Sequence, residues 1–567
     1  MIKVGELKTL KDLILKKCEQ YASNVAFLEK NKVTKKFEEI SYEKLKEDTM
    51  ALATVLVSKY KLKGKKVAVI GENSYKWYVS YLAATTGVGI VVPLDKELPA
   101  NEIENLLNRS KAGCIIYSSK KEDVIFEIKK KVSKDIIFIN MDKEKSDEES
   151  LSFDQVVAEG RKYIAEGDTT YMDNKYSEKD FRILLFTSGT TAEAKGVMLS
   201  HRNVISVLEG APGLLKVYPK DRFFSVLPMH HIYESIVGSM YPLCNGASVA
   251  ICTGLRYVSQ ELQETKPSII VGVPLLLEHM YAKIEKNIRA QGKEELVKKM
   301  TKLTDSLGKP GYKFKKVVFK QIHSALGGRL RTVLVSAAPV PKELVVNFEA
   351  FGINVLQGYG LSETAPVVAG TPEKNRVAGT VGYASNCEIK LENTDEKGVG
   401  EILVKGDNVM LGYFENDEAT RETIVDGWFH TGDLGRLDEK GNLIITGRCK
   451  SVIVTPNGKN IFPEEIEDEI SKFPEIKECL VFGEETKDDT VISTVVTLDE
   501  EYLKEKYGKN LPDLNKIKEI IWEKVKELNK KMVSYKAVKN LKIRTTDFAK
   551  TTTMKIKRFL DSNKKGE

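Results

Sequence analysis

RILLFTSGTTAEAKGV, residues 182–197, opens as an apolar run and ends in Gly, Ser and Thr residues followed by Lys195. The first half has the pattern of a buried strand, and small turn-forming residues mark where it stops. The second half gathers backbone N–H groups, hydroxyls and one ammonium on a single turn, a combination that suits phosphate oxygens. No Ser or Thr follows Lys195, and the glycines lack Walker A spacing. Taken alone, the stretch reads equally well as a Ser/Thr-rich surface loop.

The same strand beat recurs on both sides. VAVIGENS (67–74), GIVVPLD (89–95), CIIYSS (114–119), IIFIN (136–140), SVAIC (248–252) and SIIVGVP (268–274) are short β-branched runs separated by helical patterns. Strands spaced by helices predict parallel sheets with helices on their faces, and such sheets bind ligands beyond the carboxyl ends of the strands. From about 380 to 447 the pattern changes to short alternating runs between Gly-rich turns, a small antiparallel β unit. A compact α+β segment follows, with helices near EEIEDEISKF and LNKIKEIIWEKVKELN and a strand at VISTVVTLD. GRCKS (447–451) marks the boundary, giving an N-terminal domain over 1–449 and a C-terminal domain over 450–567.

The chain has 567 residues, with 88 Lys and Arg against 81 Asp and Glu, a net charge of +7. That excess is modest, and no nucleic-acid-binding motif accompanies it. Much of it is local: residues 283–320 hold twelve Lys or Arg and four acids. The seven cysteines are scattered and form no CxxC, which argues against a disulfide framework or a structural zinc site. No apolar run has the length of a membrane-spanning helix, and the charged N-terminus is unlike a secretory signal. The expected location is the cytoplasm.

Four further stretches carry chemistry. LQGYGLSETAP (356–366) offers glycines for close backbone approach, Tyr359 as a flat face for a purine, Glu363 as a hard oxygen for Mg²⁺ and Thr364 as a phosphate-directed hydroxyl. By itself it is also an ordinary capped turn. DGWFHTGDLG (426–435) places Asp433 between glycines, where it could accept from ribose hydroxyls or simply sit in a hairpin. GRCKSVIVTPNGKNIFPEEIE (447–467) places Arg448 and Lys450 at the domain boundary. KTTTMKIKR (550–558) is a short basic stretch that by itself reads as a solvated tail.

In this order the five stretches resemble the adenylate-forming superfamily of acyl-CoA synthetases, luciferases and peptide-synthetase adenylation domains, over roughly Tyr42 to Leu560. The resemblance implies an α/β fold. Its large N-terminal domain has two α/β subdomains plus a small β unit, and its smaller C-terminal α+β domain is mobile and carries the catalytic lysine. It implies that Thr187, Ser188, Gly189, Thr190, Thr191 and Lys195 close over the β,γ-phosphates of ATP. Ala337, Ala338, Gly358, Tyr359 and Gly360 would cradle the adenine, and Asp433 and Arg448 the ribose. Glu363, with Thr187, would hold Mg²⁺, and Thr364 would touch phosphate. Lys555 would bridge the substrate carboxylate and the α-phosphate, His231 would lie near the acyl group, and Lys450 would be the hinge. The chain departs from the family pattern at Ala192 and Ala194, where Gly and Pro are usual, and at Met554, where Gly is usual.

Within the superfamily, VVPLDKELPANEI (91–103), LPMHHIYE (227–234), a helical insert near 281–327 and ALGGRLRTVLVSAAPV (325–340) resemble long-chain fatty acid–CoA ligases. That resemblance implies ATP-dependent activation of a fatty acid to acyl-AMP, then thioester formation with coenzyme A, releasing AMP and pyrophosphate. Loading of an acyl carrier protein is the alternative, and a non-catalytic nucleotide or acyl sensor a weaker one. Leu296, Met300, Leu303 and Leu307 form an apolar helix stripe in the lysine-rich insert. Packing against its own domain is the favoured reading, and docking on an anionic membrane surface the other. Peripheral membrane association and a homodimer stay open; nucleic acid is not an expected partner. The adjacent His230 and His231 suggest a metal site only weakly, because no partner motif is visible.

Overall fold

The computed structural model of the protein describes residues 4–187, 194–306, 312–454, 460–485, 490–508, 510–550, 556–558 and 560–566. Contacts divide the chain into two compact units. One comprises Met1–Ile389 with Val404–Phe429, the other Lys390–Leu403 with His430–Glu567. The division cuts the chain in three places.

The first unit is built on two sheets. In the eight-stranded sheet, Phe181–Thr187, Ile90–Leu94, Lys66–Ile70, Ala112–Tyr117 and Ile137–Asn140 lie side by side and parallel. In the nine-stranded sheet the parallel centre is Asn354–Tyr359, Thr332–Val335, Ile269–Gly272, Arg222–Ser225 and Ser248–Ile251. These are the β-branched runs of the sequence. Their continuous apolar character fits strands covered on both faces. Each sheet has an antiparallel strand at an edge, among them Phe37–Ser41, whose pairing with Val25–Lys30 the alternation of strands and helices does not announce.

Helix Tyr42–Ser58 starts at Ser41, whose hydroxyl accepts from the Lys44 amide at 3.1 Å. It packs against helix Phe153–Ala165 through Gly160, where a Cβ would lie 2.0 Å from the Ala51 carbonyl oxygen. The insert folds as helices Pro274–Ala290, Glu294–Ser306, Tyr312–Val318 and Lys320–Ala325. Its apolar stripe does not pack as one face. Met300 and Val297 lie against the core, whereas Leu296 and Leu303 are 54% and 49% exposed. The residue pair spaced by three took the core side; the pair spaced by seven was left facing out. Leu307 lies outside the described residues.

In the second unit, residues 433–437 pair antiparallel with 443–448. Strands Ile476–Glu485, Thr490–Leu498 and Val538–Arg544 form a three-stranded sheet. Helices Pro463–Ile470 and Leu514–Lys531 cover it, the longer one burying Ile517, Ile521, Val525 and Leu528 at helical spacing.

Gly160→Ala tests the helix contact. Propensity alone would favour Ala in a helix by up to about 1 kcal/mol. Overlap with a backbone carbonyl that cannot rotate away should cost about 2 kcal/mol or more. The melting temperature should fall; an unchanged or higher value contradicts the close approach.

Candidate active site

Thr187 ends its strand and pairs with Lys195, the first residue of the returning strand Lys195–Ser200. Gly196 is confined among Leu184, Phe186 and Phe414, so Lys195 leaves the sheet at a fixed point. Its Nζ lies 4.8 Å above the ring of Tyr413. The Tyr413 hydroxyl donates to Glu363 Oε1 at 3.1 Å. Two backbone contacts explain the array: Gly412–Tyr413 pairs with Val197–Met198, and the Met410 amide donates to the Glu363 carbonyl at 2.8 Å. Burial, then the adjacent Glu363 carboxylate, raises the Tyr413 phenol, which therefore stays a donor at neutral pH. Tyr413 was not singled out from sequence; its motif, LGYFEN, carries no distinctive chemistry.

The neighbouring strand ends form a second cluster. Ser336 donates to the Gly358 carbonyl at 2.9 Å, stitching the ends of two parallel strands together. Ala337 sits at φ 79°, a region that an Ala occupies only under strain, and Ala338 beside it is exposed. Gly360 is required, because a Cβ there would meet the Pro366 carbonyl oxygen at 1.9 Å; at Gly358 the nearest atoms are 3.9 Å away. Tyr359 is half-buried at the end of its strand. Thr364 is fully buried, its hydroxyl accepting from the Leu361 amide at 2.9 Å and reaching the Leu361 carbonyl at 3.1 Å. It therefore shapes the Glu363 turn, and a phosphate oxygen must compete with that turn for its proton.

The histidine loop follows strand Arg222–Ser225. Asn73, just beyond the carboxyl end of Lys66–Ile70 in the other sheet, donates to the Leu227 carbonyl at 2.7 Å and accepts from the Met229 amide at 2.8 Å. His230 Nε2 lies 3.6 Å from Asp95 Oδ1, and the rings of His230 and His231 are 4.2 Å apart. Burial drives both imidazoles below their usual range; Asp95 opposes the shift at His231. Both are neutral at pH 7 and act as polar walls rather than cations.

In the second unit, Asp433 and Arg448 face each other across the hairpin, with Arg448 Nε 2.8 Å from Asp433 Oδ1. The carboxylate is buried and the guanidinium half-exposed. Lys450 is exposed in the short helix Cys449–Ser451. Ser188, Gly189, Thr190, Thr191 and Lys555 lie outside the described residues.

Among the described residues, no group of three or more His, Cys, Asp or Glu is placed to hold a metal ion. Mg²⁺ keeps several waters and takes phosphate oxygens, so it needs as few as one protein carboxylate. Glu363 offers such a carboxylate, and its Oε1 is already oriented by Tyr413.

The family model described as AMP-binding enzyme matches residues 15–414, and the AMP-binding enzyme C-terminal domain matches 450–559. The chain belongs to the AMP-binding enzyme family. It is 28% identical over 549 residues to the long-chain-fatty-acid–CoA ligase FadD15 of Mycobacterium bovis, covering 91% of this chain and 89% of that one. Its identity to the protein of the same name from Mycobacterium tuberculosis is 31% over 413 residues, 67% of each chain. A crystal structure of the anthranilate CoA ligase AuaEII with anthranoyl-AMP superposes with a TM-score of 0.76 at 19% identity, covering 98% of each chain. The fold is thus that of an adenylate-forming enzyme with a separate C-terminal domain.

Glu234, on the helical turn after the histidines, is fully buried, with the Ser225 hydroxyl and the Leu227 backbone beside its carboxyl. Burial pushes the carboxyl up to about 8, with Ser225 and the Leu227 backbone opposing. Between about pH 4.5, the ordinary Glu value, and about 8, the unfolded chain ionises this group while the folded chain keeps its proton. Stability therefore falls as pH rises through that window, by at most about 1.4 kcal/mol per pH unit. Glu234→Gln should gain in melting temperature over the parent more at pH 8 than at pH 5. An equal difference at the two pH values contradicts a protonated Glu234.

Proposed function

We propose that this protein is a fatty acid–CoA ligase. It joins a fatty acid, long-chain by preference, to AMP from ATP and passes the acyl group to coenzyme A in the cytoplasm. The observation that carries the reading is the array of Lys195, Tyr413 and Glu363 beside the stitched strand ends at Ser336 and Gly358. In a chain of this family, that array offers a cation, an oriented carboxylate and open backbone for a nucleoside triphosphate.

A carboxylate cannot expel oxide, so it needs a better leaving group. Its oxygen attacks the α-phosphorus in line, and pyrophosphate departs with the bonding pair. Charge gathers on phosphate oxygens, so the protein's task is placement and electrostatic stabilisation. Lys195 serves the β,γ-phosphates with Thr187 and residues 188–191. Lys555 bridges the carboxylate and the α-phosphate. Tyr359 stacks on the purine against backbone from Ala337, Ala338, Gly358 and Gly360. Asp433 accepts from the ribose with Arg448 holding its carboxylate. Glu363 and Thr187 would hold Mg²⁺, which when bound neutralises phosphate charge. The neutral His231 lies beside the acyl group without competing for its carboxylate. A thiolate then attacks the acyl carbon and AMP leaves; Lys450 is the hinge on which residues 450–567 turn between the steps.

AMP release, measured with acids from acetate to oleate with and without coenzyme A, tests the reading. CoA-dependent turnover should peak with long chains and fall at least a hundredfold in Lys555→Ala. Pyrophosphate release that continues past one turnover only with an acyl carrier protein would move the acceptor from coenzyme A to that protein. No adenylation of any acid would refute the ligase.

No described helix is long and apolar enough to cross a membrane. The insert nevertheless exposes Leu296, Leu303, Phe314 and Val317 within the segment carrying twelve Lys or Arg against four acids. We propose peripheral docking of this face on anionic bilayers, where long-chain acids partition. Co-sedimentation with phosphatidylglycerol vesicles should be strong at low salt and lost at high salt or in Leu303→Glu/Val317→Glu. Absence of low-salt binding excludes it.

A further inference from the structure

In the second unit one antiparallel bridge brings residue 550 beside residue 556, and a single buried side chain closes this short stem. Lys550 and Ile556 form an antiparallel bridge, and the Lys557 amide donates to the Ala549 carbonyl at 2.9 Å. Asn563, fully buried, lies across the base of this stem. Its Oδ1 accepts from the Ala549 amide at 2.8 Å, and its Nδ2 donates to the carbonyls of Ala549 at 2.9 Å and Lys557 at 3.1 Å. A flipped amide would set N–H against N–H, so this orientation alone satisfies all three groups.

Both legs of the stem are pinned further. Lys550 Nζ lies 2.7 Å from Glu478 Oε2. Arg558 pairs with the largely buried Glu467, and its Nη1 donates to the Val481 carbonyl at 3.4 Å. Glu467 in turn accepts from the Val481 amide at 2.6 Å. Ile556 packs on Leu480, Val495 and Phe548. None of these side chains is needed to cover the larger core under helix Leu514–Lys531, which is a separate cluster. Instead, three sets of polar contacts converge on the residues bordering one short segment.

We propose that Asn563, seconded by the Arg558–Glu467 pair, is a positioning residue that fixes the stem bearing Lys555 and so sets where that ammonium is delivered. The inference rests on the adenylation role proposed for Lys555, which is covalently next to Ile556. An error of about 1 Å in placing a reacting group can cost on the order of a hundredfold in rate. Asn563 therefore acts on the first half-reaction, where Lys555 is used, and not on the second.

The test measures three quantities on the full-length protein carrying Asn563→Ala, Asn563→Asp, Lys555→Ala and the Asn563→Ala/Lys555→Ala double substitution. These are ATP–pyrophosphate exchange with a fatty acid, thioester formation from synthetic acyl-adenylate and coenzyme A, and amide hydrogen exchange over residues 549–563. Asn563→Ala should speed hydrogen exchange at Ile556 and Lys557 and lower pyrophosphate exchange about tenfold to a hundredfold. Thioester formation should stay within about twofold, since no transition-state contact of that step is removed. The double variant should be no slower than Lys555→Ala. Asn563→Asp keeps the acceptor for Ala549 and should fall between. Equal loss of both half-reactions means a merely structural role and overturns the proposal, as do additive losses in the double variant or loosened exchange with full adenylation. If Lys555→Ala itself adenylates normally, the Lys555 reading fails and the positioning claim falls with it; the hydrogen-exchange result still reports separately whether Asn563 holds the stem.

Discussion

Asn73 uses both halves of its amide on one short stretch of backbone, donating to the Leu227 carbonyl and accepting from the Met229 amide. It stands just past the carboxyl end of a strand in the eight-stranded sheet. The backbone it holds lies just past the carboxyl end of a strand in the nine-stranded sheet. The exposed ends of two sheets are thereby held together by bonds that cannot slip by a residue without being lost. The functional groups of the first unit follow from that constraint. Asp95, Thr187, the histidine loop, Ala337 and Glu363 all lie at or just beyond strand ends, which is where open α/β sheets bind ligands.

Electrostatically, the site is built by removing charge as much as by placing it. His230 and His231 are stripped of their protons by burial, and Glu234 behind them keeps its own. The charges that remain are deliberate ones. Tyr413 touches both Lys195 and Glu363: its raised phenol bonds the carboxylate while its ring faces the ammonium.

The parallel sheets were legible because their strands are continuous β-branched runs between helices. The hairpin Val25–Lys30 and Phe37–Ser41 was not, since its exposed, charged second strand lacks clean alternation. Motif order pointed to Glu363, Asp433 and Arg448, and the structure pairs the last two across a hairpin. Tyr413, Asn73 and Asp95 escaped because their roles come from tertiary neighbours: a tyrosine in LGYFEN or an asparagine in GENS has no local signature. The insert shows the opposite error. Its helical period was real, but period alone could not say that Val297 and Met300 would face the core and Leu296 and Leu303 would not. The hydroxyl of Thr364 likewise looked available in the sequence, and the turn it closes onto Leu361 is visible only in three dimensions.

Acyl-adenylate chemistry leaves an isotopic record that no other ATP-dependent route shares. With a fatty acid labelled with ¹⁸O in both carboxyl positions, coenzyme A and ATP, attack on the α-phosphorus leaves one labelled oxygen in the phosphate of AMP. Mass spectrometry of the products should find AMP heavier by one ¹⁸O and pyrophosphate unlabelled. Label in inorganic phosphate, with ADP as the nucleotide product, would mean an acyl phosphate and would contradict the account.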